Sequence, residues 1–418
     1  MPPSVPTVVF PPSSELVDIG RELVSATAAP AYVTMPVAGF EPDDKITMLS
    51  DTGKRGSRVK TYDLQQGPIW TESKVTESAV YLDTIGHVLL NILGDYTATG
   101  TSSGTPWTST AVALAAGALA VPVLTGAVAG SGSFVQVDTT TTSEIVTVGT
   151  GSTATNIVLN ANTPLRFNHL ASITVTPVVA PFIHVFSNLN LNSSTGNTSA
   201  QPPTHTLIHR TGIPGSVNYN AVMYAYACFS DVKLSAKATG WMAWEGSVTS
   251  QAHAYPAASP TAAISSVKGL PAWKSTTTVA GTQRYEISEW SVDLKTEVEP
   301  LPTADGYQNP FAFVRGEFEA PFTLTYNPAI DESALLHYLN NDQPTLAWSI
   351  SNGLSGANLL SMSIAAQLGG FKGAPLKAGK TTFGYDVTGE LISSTTNSGN
   401  SGGYSPLKIT LTNAIPGY

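Results

Sequence analysis

Seven stretches of this chain alternate apolar and polar residues with a period of two. They are SEIVTVG (143–149), TNIVLNA (155–161), SITVTPV (172–178), YEISEWSVDLKTEVEP (285–300), FVRGEFEAPFTLTY (313–326), LLSMSIAAQL (359–368) and PLKITLTNA (406–414). That period puts neighbouring side chains on opposite faces, so each stretch reads as a strand with one face for a core. Helical spacing is confined to three short segments. In SSELVDIGREL (13–23), Ser13 or Ser14 is placed to cap and Leu16, Ile19 and Leu23 share a face. In DTIGHVLLNILGD (83–95), Ile85, Val88, Leu89 and Ile92 form a stripe that Gly94 ends. In DESALLHYLNND (331–342), Asp331 is placed to cap and Leu335, Leu336 and Leu339 are expected to face inward. The predicted fold class is therefore mainly β, with a few short helices.

Size and charge narrow the function classes. The 418 residues suffice for two or three domains. Only 12% are charged, while 36 Gly and 29 Pro suit a chain rich in strands and turns. Twenty basic against 29 acidic side chains leave −9, which disfavours a grip on nucleic-acid phosphates. Cys228 is the only cysteine, so neither an intrachain disulfide nor a thiolate zinc site is expected. The first residues, MPPSVPTVVFPPSSEL, have no basic residue and no long apolar core, so synthesis and folding in the cytoplasm are expected. AVALAAGALAVPVLTGAVAG (111–130) is uncharged but weakly hydrophobic and interrupted by Pro122, and reads as small-residue strands and turns, not a membrane span.

Residues 98–178 are nearly uncharged and rich in Ala, Thr and Gly, and strongly apolar elements flank them. The expected division is 1–97, an inserted small β-domain at 98–178, and 179–418. A faint echo links FSDVKLSAKATGWMAWEGSVTS (229–250) to EWSVDLKTEVEP and FVRGEFEAPFTLTYN (289–327), each a strand, a glycine and a second strand.

Four local patterns invite chemistry and read better as structure. APLKAGKT (374–381) has loose phosphate-loop spacing around Lys380, but Pro375 replaces a permissive glycine and a strand pattern follows. GNSGG (399–403) spaces Ser401 like a nucleophile elbow inside a Ser/Asn/Gly-rich segment with no histidine after it, and reads as a flexible loop. HTLIH (205–209) puts His205 and His209 on one side of a strand with no local third ligand. In TPLRFNHLASITV (163–175), Arg166 and His169 are at odd spacing, so on a strand they point to opposite faces, with no acidic partner identifiable. No catalytic, cofactor-binding or metal-binding residue is expected. The cations of DTGKRGSRVK (51–60), Lys54, Arg55, Arg58 and Lys60, are an exposed loop suited to a contact between subunits.

The order of segments resembles a known family. AYVTMPVAGFEPDDK, LSDTGKRGSRVKTYDLQQGP and VYLDTIGHVLLNILGDYT look like the N-terminal part of tail tube proteins of long-tailed bacteriophages. QPPTHTLIHRTGIPGSVNYNAVMYAYACFSDVKLSAKATGWMAWEGSVTS looks like the strand pairs that follow. EPLPTADGYQNPFAFVRGEFEAPFTLTY and KITLTNAIPGY are similar to the closing region. The middle block resembles small β-modules of virion proteins in which a strand ends in a Leu-Arg-Phe/Tyr-x-His phrase, so Arg166 and His169 would belong to a structural closure.

The resemblance implies a β-sandwich or barrel-like subunit that joins copies of itself into stacked rings around a lumen. It would be a virion tail protein made in the bacterial cytoplasm, with the basic loop as the contact between rings. Rings would hold six chains, or three with pseudo-sixfold symmetry if the chain is duplicated. Partners would be the tape measure, tail terminator and distal tail proteins. Genomic DNA would pass without specific binding, and no membrane or cofactor would be involved. An acidic lumen suits such passage. A decoration protein or adhesin binding a host surface is the alternative, and a hydrolase built on Ser401 a distant third.

Overall fold

A computed structural model of the chain describes residues 15–56, 58–124, 129–140, 142–191, 199–210, 221–256, 263–328, 330–379 and 382–418. The principal elements in chain order begin with β1 (Leu16–Arg21), β2 (Phe40–Asp51), β3 (Asp63–Ala79), α1 (Ile85–Leu93), β4 (Gly94–Ser102) and β5 (Thr174–Asn188). They continue with β6 (His205–Arg210), β7 (Val222–Lys237), β8 (Met242–Gln251), β9 (Ile287–Leu301), β10 (Ala312–Glu319) and β11 (Pro321–Tyr326). The last are α2 (Ser333–Asn340), β12 (Leu346–Ser351), β13 (Ser361–Ala366), β14 (Leu368–Gly373), β15 (Phe383–Ile392) and β16 (Lys408–Asn413). The fold is mainly β and sandwich-like.

One sheet runs β1-β6-β7-β9-β11-β15-β14, with β8 joining β7 to β3, β2 on β3 and β10 on β9. The other runs β12-β13-β16-β5, with β4 also on β5. α1 lies between them, touching β7, β1 and β9 of the first and β5 and β4 of the second. Eight of its nine residues are buried, which is why its sequence is apolar on nearly every side. Phe182, Phe186, Phe229, Trp244, Trp290, Phe322 and Trp348 belong to the same buried core as α1, each contributing roughly 1.5–3 kcal/mol by leaving water. Gly94 ends α1 at φ 80°, and a Cβ there would lie 2.8 Å from Pro202.

The seven alternating stretches all contain strands. The helix expected at 13–23 does not form. Leu16–Arg21 is β1, whose two neighbours are β6 and the strand Val33–Met35. It is covered on both faces, so Val17, Asp18, Ile19 and Gly20 are all buried and no alternation shows. Ser13 and Ser14 lie outside the described residues. In α2 the Asp331 carboxylate accepts from Ser333 N and Oγ, as a cap should. The inward face differs from expectation: Ala334 is buried and Leu335 half-buried, while Leu336 and Leu339 are exposed because α2 lies across β14 and β15.

Residues 107–175 hold a second core of their own, including Trp107, Val121, Val135, Val146, Ile157, Leu165 and Val175. Its short strands are Trp107–Thr108, Ala120–Pro122, Phe134–Val137, Glu144–Thr147 and Asn156–Val158. β4 carries the chain into this module and β5 carries it out, and the two pair from Gly94↔Asn188 to Ser102↔Val178. The expected boundaries at 98 and 178 fall inside this pair, and Ala98, Ile145 and Val178 pack into the main core. Among the described residues of 111–130 the only named strand is Ala120–Pro122, and no helix of the described residues is long and apolar enough to cross a membrane.

Candidate functional site

The four cations singled out in the sequence stand at the end of a β-ribbon. β2 and β3 pair from Phe40↔Val75 to Asp51↔Asp63. β3 has a second partner, β8, only from Trp70 to Ala79. The distal part, from Ile46 outward, is thus two-stranded, with six residues on β2 against seven on β3, and spans about 20 Å. Ile46, Met48, Leu49 and Leu64 are exposed on it, as is Val59 in the connecting loop. An exposed apolar ribbon is a liability in a lone molecule and a contact surface in an assembly.

The loop at its end is also exposed. Asp51 organises it, accepting from Gly53 N at 2.9 Å and pairing with Arg55. The Arg55 guanidinium lies 4.9 Å from the centre of the Tyr62 ring. Arg55 is therefore tied within its own loop. Among the described residues Lys54, Arg58 and Lys60 have no ionic partner.

A second ribbon lies beside the first. β9 and β10 pair from Lys295↔Glu319 to Leu301↔Ala312, and Gln308, in the turn between them, accepts from Ile69 N at 3.0 Å and donates to Gln66 O and Gly67 O. Glu297 and Glu299 on β9 and Glu317 and Glu319 on β10 are all exposed, on either side of a bulge between Thr296 and Val298. This acidic ladder was not singled out in the sequence. Its signal was the repeated Glu-x-Glu spacing in TEVEP and GEFE.

Arg166 and His169 do not lie on a strand. Residues 164–168 form no ladder, so the opposite-face argument fails and both positions meet Glu144. Its carboxylate accepts from Arg166 N at 2.8 and 3.0 Å and from Phe167 N at 3.2 Å, and His169 Nε2 is 2.8 Å away. Asp138 is 3.4 Å from His169 Nδ1. Burial lowers the His169 pKa, but hydrogen bonds and charge from Glu144 and Asp138 outweigh it, and the net shift is upward. The acidic partner missing from the local sequence sits 22 residues upstream on a module strand.

Ser401 is buried, which corrects the expectation of a flexible loop. Its N and Oγ donate to Asp95 Oδ2 at 2.7 and 2.6 Å, and its Oγ accepts from Asn190 N at 2.9 Å. The turn thereby seals the β4 start against β5. We expect Ser401→Ala to lower the urea midpoint by an amount equal to about 1–3 kcal/mol, since a buried acceptor loses a donor. An unchanged midpoint would remove this sealing role.

His205 and His209 lie on a strand, as expected, with different neighbours: Asn91 Nδ2 at 2.9 Å from His205 Nδ1, and Glu15 Oε1 at 2.9 Å from His209 Nε2. Around APLKAGKT, Leu376–Ala378 is a short strand and β15 follows; Lys380 lies outside the described residues. Among the described residues no group of three His, Cys, Asp or Glu is placed to hold a metal ion. Neither a protein-family model nor a curated protein matches this chain.

Proposed function

We propose that the chain is a structural subunit whose copies form stacked rings, building the hollow tail tube of a long-tailed bacteriophage. The observation that carries this reading is the β2/β3 ribbon, which extends past its last neighbouring strand with exposed apolar side chains and ends in Lys54, Arg58 and Lys60, which have no ionic partner among the described residues. Docking on the next ring would cover those side chains and match the cations with acidic surface on a chain of net charge −9. The ladder of Glu297, Glu299, Glu317 and Glu319 is a surface that repels phosphates, suited to a lumen through which DNA slides.

The order of elements supports three chains per ring. A ribbon, a helix and an antiparallel pair follow one another twice, as β2/β3, α1, β4/β5 with the module between the last two, and as β9/β10, α2, β12/β13 with β11 before the helix. β16 lies between β5 and β13, so the two pairs flank one strand. Each half would then occupy one of six similar positions. The tape measure, tail terminator and distal tail proteins are the partners this reading entails. A decoration or adhesin role is favoured by the exposure of Val112, Leu119, Leu124 and Leu170 on the module.

Electron microscopy of the purified protein is expected to show tubes. Lys54→Glu with Arg58→Glu and Lys60→Glu is expected to slow their growth about tenfold at low salt, with the difference shrinking as salt is raised. Protein that stays monomeric under every condition overturns the tube; tubes of normal rate and length from the triple variant overturn the docking role of the loop.

A further inference from the structure

Where the module meets the main body, a cavity of about 310 Å³ has Arg21, His87, Tyr96, Glu144, Arg166 and Tyr418 in its wall. The two arginines come from different parts of the molecule, Arg21 from the end of β1 and Arg166 from the module's closure. Arg166 Nη1 donates to Tyr418 O at 3.5 Å, and its guanidinium lies 4.4 Å from the centre of the Tyr96 ring. Its Nε is buried without a partner. Arg21 Nε is likewise buried and unpartnered, and among the described residues no acceptor or carboxylate engages the rest of its guanidinium. His87 Nδ1, in the same wall, is also buried and unpartnered.

The charge of Glu144 favours both guanidiniums, but its carboxylate makes no hydrogen bond to either of them. Both Glu144 oxygens are taken by Arg166 N, Phe167 N and His169. Asp83 accepts from Ser265 Oγ, and burial raises its pKa, which favours its neutral form. Two half-buried arginines whose buried Nε atoms lack acceptors, sharing the charge of one carboxylate whose bonds go elsewhere, are costly. Burial and then the charge of Arg166 push the Arg21 pKa down to about 9.

From the cavity and its unpartnered donors, we propose that it binds a small tetrahedral oxyanion of the phosphate or sulfate class, held by Arg21 and Arg166 with His87 as a further donor. Planar guanidinium forks match the oxygen spacing of such an ion, and two of them balance its charge. Because the arginines belong to opposite sides of the junction, the ion fastens the module to the main body. This inference does not depend on the tube reading.

The test uses the full chain, with inorganic phosphate, sulfate and acetate added at constant ionic strength against chloride. Phosphate is expected to broaden and shift its own ³¹P resonance in the presence of the protein and to raise the thermal midpoint by a few degrees at about one hundred times its Kd. Arg21→Met is expected to abolish both effects and, without oxyanion, to be at least as stable as the unaltered chain. Arg21→Lys is expected to retain a weakened response. A ³¹P signal unaffected by the unaltered chain overturns the site whatever the variants do. A full response from Arg21→Met, or an acetate response equal to that of phosphate, overturns the assignment of residues or of anion class.

Discussion

Acidification from pH 7 to pH 4 is expected to remove most of the stability of the main body. Burial pushes the His87 pKa down to about 3 and that of His184 to about 4, and it drives His205 well below its ordinary value. The hydrogen bonds explain why two of these rings stay neutral. Asn91 is fixed by donating to Ala227 O and accepting from Phe229 N and Arg315 Nη2, so its amide N–H can only point at His205 Nδ1, which must accept. His184 Nε2 donates to Ile415 O, leaving Nδ1 to accept from Tyr96 Oη.

The sign follows from where protons bind. Above about pH 6.5 the histidines are neutral in both states and cost nothing. Below it the unfolded chain takes up protons that the folded chain refuses, so stability falls as pH falls towards 4. Each group contributes a slope of about 1.4 kcal/mol per pH unit, so three approach roughly 10 kcal/mol by pH 4, comparable with a whole domain's stability. Glu22, Asp83 and Asp95 act the other way. Burial raises their pKa values, and acid relieves a penalty they impose at neutral pH.

A substitution separates the terms. His205→Gln keeps an acceptor for Asn91 and should reduce the protons taken up on unfolding between pH 4.5 and 6 by about one, seen as a shallower dependence of the urea midpoint on pH. An identical dependence in the variant would show that His205 is not a source of the acid loss. His169 has the opposite sign, because its raised pKa adds stability below pH 6.5 that is lost as pH rises through its folded value.

Much of the fold was legible in the sequence because one face of most strands is buried and the other is not. β9 shows the limit of that signal: it alternates only from Asp293 on, beyond a buried run from Trp290 to Val292 where both faces are covered. Within the 13–23 segment, β1 failed for that reason, Val17 to Gly20 being buried on both faces. Leu16, Ile19 and Leu23 fit a helical face, and nothing local records that β1 has a strand on each side. The basic loop was legible as a charge cluster, but its position at the end of a ribbon depends on where β8 stops pairing with β3. Contacts between distant residues left no local trace. Asp95 and Ser401 are 306 positions apart, and the pairing of Arg166 with Glu144 required the 164–168 segment to leave the strand pattern.

If the chain builds a tube as proposed, excising the module is expected to leave a folded main body that still assembles, with a thinner wall and an unchanged bore. Ser102 and Val178 are directly paired neighbours at the outer end of the β4/β5 ladder. Replacing 103–177 with a two-residue Asn-Gly turn therefore closes a hairpin already in register, and so short a closure costs little chain entropy. The module's core is separate, so most of its apolar contacts leave with it. Contacts with the main body are lost as well, among them those of Ile145 with the main core, of Phe134 with the Phe182 ring, of Arg166 with the Tyr96 ring and Tyr418 O, and of Ser143 and Gln136 with Ala98 and Gly100. β5 should survive their loss because β16 pairs with it along Phe182–Ser187. Circular dichroism and a thermal scan would register a lowered but cooperative transition, and electron microscopy would measure the wall. A variant that folds cooperatively and forms no tubes would place the module within the assembly interface; one that does not fold would show that the β4/β5 pair depends on the module for its order.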